Sequence, residues 1–289
     1  MPELPEVEST ARFLHERIAG DEVSSVSVLW QRTVGDERTF TTALTGAVVR
    51  SVFRRAKFVC FDCIDRVGAP FVVAAHMRMS GSFDVVNSHT LPEKHDRFLW
   101  RLKSGKTVTF CDPRKFGRAS IERDFEIFSR RLGIEPLTKE FTPFVLLDFL
   151  ARKRPIKSLL LDQKLISGLG NIYVDEALWH AQIHPMRRAD RVPMWQVPGL
   201  HAAIQYVLHE AITKQGTDFG DGVFEMGNYR PVAYGRTGEP CKRCATPLQR
   251  IIVGQRSSHF CPYCQPRVGQ KNLDPKKAFN LRKEQGGLN

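Results

Sequence analysis

The chain has 289 residues, more than one compact core usually organises, so two domains and a small additional module are expected. Its 43 Lys and Arg against 31 Asp and Glu leave a net charge of +12, which points to a polyanionic partner, with nucleic acid first. A hydrophobic share of 42% excludes a mostly disordered chain, and no stretch approaches the roughly 18 apolar residues of a membrane span.

The opening text, Met1 to Glu8, is acidic and lacks an apolar centre, so no secretory signal is expected there. Residues 5–19 read as a helix. Pro5 suits its start, Glu6 and Glu8 favour its positive end, and Gly20 closes it. Val7, Ala11, Leu14 and Ile18 share one face, which predicts packing against a neighbouring layer. Short Val-, Phe- and Thr-rich segments follow at 23–29, 46–63, 71–77, 97–103 and 107–111, with Ser104-Gly105 as a hairpin turn. That alternation predicts a β-sandwich.

Beyond about residue 125 the pattern turns helical, at 143–153, 156–166, 172–182 and 198–214. Gly168-Leu169-Gly170-Asn171 separates the second and third of these in a helix–turn–helix-like junction. The Gly-rich stretch 216–238 reads as a long functional loop, and the tail from Lys271 as polar, basic and flexible. Positive charge clusters at Arg152, Lys153, Arg154 and Lys157. It clusters again at Arg230, Arg236, Lys242, Arg243, Arg250 and Arg256, set against the single acid Glu239. Both clusters are expected to line one phosphate-binding groove.

Seven cysteines, an odd number, argue against a complete disulfide framework. Cys241 and Cys244, then Cys261 and Cys264, form two Cys-x2-Cys pairs with the spacing of a four-thiolate zinc site. Four thiolates leave no open coordination position, so one structural zinc per chain is predicted, with no catalytic role. Cys60, Cys63 and Cys111 lie in strand text and read as buried thiols, the first two on opposite faces.

Several residues carry two readings. Pro2, once Met1 is removed, offers a secondary amine, and an α-amine titrates near 7.7–8.0, so a useful fraction is nucleophilic at neutral pH. Alternatively, Met-Pro-Glu merely leads into a helix. Glu3 beside it has the chemistry to move protons. Lys57, entering a strand, reads most simply as an edge-strand charge, or else as a phosphate contact or proton donor. Phe116, within Asp112–Arg118, is either a wedge for stacked bases or a core ring, and Met79 carries the same ambiguity. Asn171 fits both a helix N-cap and a phosphate contact. Arg256 falls where a zinc ribbon's hairpin tip is expected.

Taken together, these pieces resemble the formamidopyrimidine-DNA glycosylase family. The matching text is Pro2 to Glu8, Arg55-Ala56-Lys57, Met79-Ser80-Gly81-Ser82, Lys94-His95-Asp96, Asp112-Pro113-Arg114, Gly170-Asn171-Ile172-Tyr173 and Gly235-Arg236 through Cys264. It runs in order over nearly the whole chain. The resemblance implies an α+β multidomain protein: an N-terminal β-sandwich with a flanking helix, a helix–two-turns–helix domain and a zinc-finger β-hairpin. The divisions expected are 2–125, 126–230, 231–265 and a basic tail at 266–289. It further implies a monomeric, cytoplasmic, nucleoid-associated enzyme that binds double-stranded DNA containing oxidised bases or abasic sites, with no membrane association.

By matching position, the resemblance makes Pro2 the Schiff-base nucleophile at the sugar C1′ and Glu3 the acid assisting base loss. Lys57 becomes the proton donor of β-elimination, and Arg256 the donor associated with δ-elimination. His95, Arg114 and Arg152 fall at DNA-binding positions and Asn171 at a phosphate contact. Met79, Arg114 and Phe116 match the trio that fills the gap left by the extruded nucleotide. The loop Gln215-Gly216-Thr217-Asp218-Phe219-Gly220 departs from the family's usual Gly-Gly-Thr-Thr text, in a region that helps read the damaged base. Oxidised purines are the expected substrates. Two alternatives remain: the endonuclease VIII branch, which prefers oxidised pyrimidines but starts differently, and a non-catalytic damaged-DNA-binding protein on the same scaffold.

Overall fold

The computed structural model describes residues 1–87, 91–217 and 227–267, and the expectations for 218–226 and for the basic tail beyond 267 lie outside them. The chain forms two compact units that are discontinuous in sequence: 1–132 with 211–229, and 133–210 with 230 onward.

In the first unit, α1 (Leu4–Ile18) leads into β1 (Val23–Val28), α2 (Glu37–Leu44), β2 (Val48–Arg55), β3 (Phe58–Ile64) and β4 (Pro70–His76). Then come β5 (Ser82–Asn87), β6 (Asp96–Leu102), β7 (Lys106–Cys111), β8 (Arg118–Glu122) and α3 (Phe125–Arg130). Two four-stranded antiparallel sheets result, ordered β1-β6-β7-β5 and β2-β3-β4-β8. This is the sandwich read from the alternation. Its interior is aromatic: Phe98 stacks on Phe110 at 5.0 Å and on Trp100 at 5.5 Å, and Phe61 meets Trp100 edge-on at 4.7 Å. The predicted face of α1, Val7, Ala11, Leu14 and Ile18, joins this core.

The strand expected over 46–63 is in fact two. Ala56 adopts φ 55°, a left-handed conformation usually given to Gly, and Ala56-Lys57 forms a two-residue turn between paired Arg55 and Phe58. Neither residue is a turn signal, so the break leaves no mark in composition. Helix α2 and strands β5 and β8 also went unread, being short and largely polar. Cys60 and Cys63 do lie on opposite faces: Cys63 in the sandwich core, Cys60 in a satellite cluster with Phe125 and Phe128. Burial pushes the Cys63 thiol up to about 12, which makes it inert. Cys111 is only half-buried, a departure from the expected buried thiol.

The second unit contains α4 (Pro143–Leu150), α5 (Ile156–Leu160), α6 (Asn171–His180) and most of α7 (Val197–Thr213), followed by the hairpin β9 (Gln249–Val253) and β10 (Arg256–Phe260). The junction between α5 and α6 is organised by Gln163. Its amide donates to the carbonyls of Leu161 (3.0 Å) and Leu169 (2.7 Å) and accepts from Gly168 N (3.0 Å). Satisfying three backbone groups at once fixes the turns before α6.

Candidate active site and nucleic-acid interface

Within the first unit, Pro2 and Glu3 are buried at the head of α1. Glu3 occupies the N-cap position, where Ser, Thr, Asp and Asn are commoner, and its side chain accepts from the Glu6 backbone N–H as one half of a capping box. Glu6 completes the box, accepting from Glu3 N at 2.8 Å. Its other oxygen accepts from Thr217 N at 2.9 Å, at the start of the Gly-rich segment. One buried carboxylate thus fixes both the Pro2-Glu3 backbone and the root of that segment.

Lys57 is 6% exposed, so the edge-strand role fails: a charge meant to deter association would be solvated. The turn that carries it is braced from α1. Glu8 Oε2 accepts from Arg54 Nε at 3.0 Å, and Arg54 Nη1 donates to Ala56 O at 3.2 Å. His76, paired with Phe58 across β3 and β4, is pushed down to about 3 by burial and by the charges of Arg78 and Lys57. It therefore stays neutral, and its Nδ1 accepts from Arg78 N at 2.9 Å.

Met79 and Phe116 are exposed, which removes the core reading for both. Arg114 is exposed as well, its guanidinium 5.1 Å from the Phe116 ring. His95 is half-buried; its carbonyl accepts from Asp112 N at 2.8 Å, and its ring lies 3.5 Å from Arg97 Nη2.

In the second unit, Asn171 is the first residue of α6, while Gly170 takes the N-cap position without a side-chain bond. The N-cap reading of Asn171 is therefore wrong: its Oδ1 has no partner among the described residues. Arg152 is exposed at the end of α4 and bonds the carbonyls of Asp148 (3.3 Å) and Phe149 (3.0 Å). Arg256 is exposed directly after the tight turn Gly254-Gln255, whose φ values of 53° and 64° match the hairpin type with two left-handed residues. It sits at the tip, as its spacing implied.

The basic clusters do not act as one solvated face. Lys157 is fully buried, its ammonium donating to Asp175 Oδ1 at 2.7 Å and Ser257 O at 2.6 Å. Asp175 also accepts from Ser258 Oγ and His259 N, both at 2.8 Å. Helices α5 and α6 are thereby bolted to β10, which stiffens the strand that presents Arg256. Arg154 pairs with Asp162 at 2.8 Å, and Arg236 with Glu239 at 2.8 Å. Arg243 lies over the Trp179 ring at 4.0 Å. Lys153, Arg230 and Lys242 are exposed, as are Arg152 and Arg256.

Sequence reasoning passed over the buried acids. Glu176 accepts from three successive backbone groups, Val232 N (2.7 Å), Ala233 N (2.8 Å) and Tyr234 N (2.9 Å), and so anchors the approach to the cysteine module. The available signal was Asp175-Glu176 embedded in otherwise apolar helix text.

The ligand sulfurs of Cys241, Cys244, Cys261 and Cys264 all lie within 4.8 Å of one another. A tetrahedron of thiolates about 2.3 Å from zinc requires S···S separations just under 4 Å, so the set fits the ion. Backbone N–H groups point at the sulfurs, Arg243 N at Cys241 Sγ (3.5 Å) and Cys264 N at Cys261 Sγ (3.3 Å).

Residues 1–119 match the formamidopyrimidine-DNA glycosylase N-terminal domain, 132–221 its H2TH domain, and 238–267 the zinc finger found in this glycosylase and in IleRS. Formamidopyrimidine-DNA glycosylase of Chloroflexus aurantiacus is 39% identical over 282 residues, covering 93% of this chain and 99% of the relative. That of Symbiobacterium thermophilum is 40% identical, covering 96% and 93%. A Lactococcus lactis Fpg in complex with abasic-site DNA superposes with a TM-score of 0.85 at 33% identity, covering 92% of this chain and all of that one. MutM bound to DNA containing carbocyclic 8-oxo-G gives 0.85 at 34%, with the same coverage.

The chain belongs to the formamidopyrimidine-DNA glycosylase family. It is a DNA glycosylase of base-excision repair with one structural zinc held by the four cysteines, and lyase activity is typical of the family. No helix among the described residues is long and apolar enough to cross a membrane.

Proposed function

We propose that this enzyme excises oxidised purines, 8-oxoguanine and formamidopyrimidines, from double-stranded DNA and then cleaves the abasic site by β,δ-elimination. It works as a monomer in the cytoplasm, on the nucleoid. The Pro2 amine, freed by removal of Met1, attacks C1′ of the extruded nucleotide. The glycosidic bond breaks and its electron pair leaves with the base, assisted by a proton from Glu3. The nitrogen lone pair then opens the sugar, breaking C1′–O4′ while O4′ takes up a proton, and the resulting iminium acidifies the neighbouring C2′–H, whose loss expels the 3′-phosphate. Lys57 supplies a proton in this step, and Arg256 is the hydrogen-bond donor associated with the elimination of the 5′-side phosphate that follows. His95, Arg114, Arg152 and Asn171 hold phosphates, while Met79, Arg114 and Phe116 occupy the vacated space in the duplex. Unstacking costs a few kcal/mol, which such contacts offset.

The observation that carries this reading is the buried Pro2-Glu3 head of α1, which sets a carboxyl group directly beside the residue that becomes the terminal amine. The test is a gel assay on a duplex with 8-oxoguanine opposite cytosine. The expected product is a nicked strand with phosphate at both new ends. Retarded but uncut DNA would instead mean a binding protein on this scaffold, and preferential cutting at oxidised pyrimidines would assign the chain to the endonuclease VIII branch.

A further inference from the structure

We propose that Asp112 is a positioning residue that sets Met79, Arg114 and Phe116 in their duplex-invading arrangement before DNA arrives. The proposal rests on reading those three side chains as the wedge.

They stand on two connections, β4 to β5 and β7 to β8, each carrying the chain from one sheet of the sandwich to the other. Asp112 is fully buried between these connections. Its Oδ1 accepts from Ser80 Oγ at 2.5 Å, next to Met79, and from Arg114 N at 3.2 Å; Oδ2 accepts from Gly117 N at 2.7 Å, next to Phe116. Its own backbone joins the same knot. The N–H donates to His95 O at 2.8 Å, and the carbonyl accepts from Arg97 Nε at 2.7 Å and Lys115 N at 3.1 Å. Three side-chain bonds from three donors suit a carboxylate, which accepts at both oxygens. An asparagine would turn an NH2 toward one of those donors.

Packing closes the arrangement. A Cβ on Gly81 would fall 2.8 Å from the Phe110 Cζ atom, and one on Gly117 would fall 2.5 Å from it, so both connections lie against one core ring. Lys115, at φ 61°, places its ammonium 3.9 Å from the Trp30 ring and clamps the second turn from the other side. Exposed side chains on loose turns would lose conformational freedom on entering DNA. Turns tied to one buried anion carry less of that cost.

The test is a double-mutant cycle on 8-oxoguanine excision from duplex DNA, using wild type, Ser80→Ala, Met79→Ala and the double variant. Unstacking is read in parallel from 2-aminopurine fluorescence beside the lesion. Ser80→Ala removes one tie and leaves the Met79 side chain, so it should slow excision about tenfold and blunt the fluorescence rise, as expected for one hydrogen bond to a charged group. In the Met79→Ala background it should add less than about twofold. Asp112→Asn, provided its melting curve stays cooperative, should lower excision further while leaving affinity for undamaged duplex within about threefold. Multiplicative losses in the cycle, or a silent Ser80→Ala, would overturn the positioning role while leaving the wedge intact. A silent Met79→Ala would overturn the wedge reading itself, and this proposal with it.

Discussion

Lys157 and Asp175 are both fully shielded from solvent and meet at 2.7 Å, joining α5 to α6 beneath the strand that presents Arg256. A lone buried charge is far costlier than a buried pair, so each partner depends on the other. Lys157→Met should destabilise the protein by roughly 3 kcal/mol or more in chemical denaturation. Adding Asp175→Asn should recover part of that loss, because the stranded anion is gone. Independent, additive losses would show that the pair is not coupled.

His76 sets a pH dependence. Its folded pKa is lowered, by burial first and then by the charges of Arg78 and Lys57, from an ordinary 6.5 to about 3. As pH falls through 6.5 the unfolded chain takes up a proton that the native chain refuses, so this stability is full above 6.5 and lost on acidification toward 3. The slope from this group approaches about tenfold in the folding constant per pH unit. His76→Asn retains an acceptor for Arg78 N and should flatten the stability curve between pH 6 and 4, measured by urea titration at each pH. An unchanged slope would remove His76 from the account.

Glu6 holds Glu3 N with one oxygen and Thr217 N with the other. In Glu6→Gln one of these donors must face an NH2 group. Losing a hydrogen bond to a charged group costs roughly 1.5–3 kcal/mol, so base excision should slow by about ten- to a hundredfold. Nicking of a preformed abasic site should suffer less, since no base has to be held. Equal losses on both substrates would separate Glu6 from base recognition.

Zinc binding should be coupled to the shape of the β9–β10 hairpin. Metal analysis of protein purified without chelator is expected to give about one zinc per chain. Chelation should abolish DNA nicking while the sandwich aromatics keep their near-ultraviolet signal, because four thiolates close the ion off from chemistry but fold the module that carries Arg256. Full nicking activity after complete zinc removal would contradict this.

The parts of the fold that depend on local pattern were legible in the sequence. The amphipathic face of α1 and the two Cys-x2-Cys pairs are written in adjacent residues, and the turn at Ser104-Gly105 uses ordinary turn chemistry. Ala56-Lys57 was not legible, because an alanine in the left-handed region gives no turn signal and the strand text runs straight through it. Lys157 reads as one more charge in a basic run; only the fold places it opposite Asp175. Asp112 stands in a recognisable motif, yet its meaning depends on Ser80, which the fold alone brings to it. The candidate site residues follow from the resemblance alone. The buried acids that hold them do not, since their partners lie far away in sequence.

The proposed chemistry turns on the Pro2 amine, and the most direct measurement is borohydride reduction of the enzyme during turnover on 8-oxoguanine duplex, followed by peptide mass mapping of the covalent complex. The deoxyribose remnant should be found on the nitrogen of Pro2 in a peptide lacking Met1. Attachment to a lysine such as Lys57, or active enzyme that still begins with Met1, would contradict the mechanism.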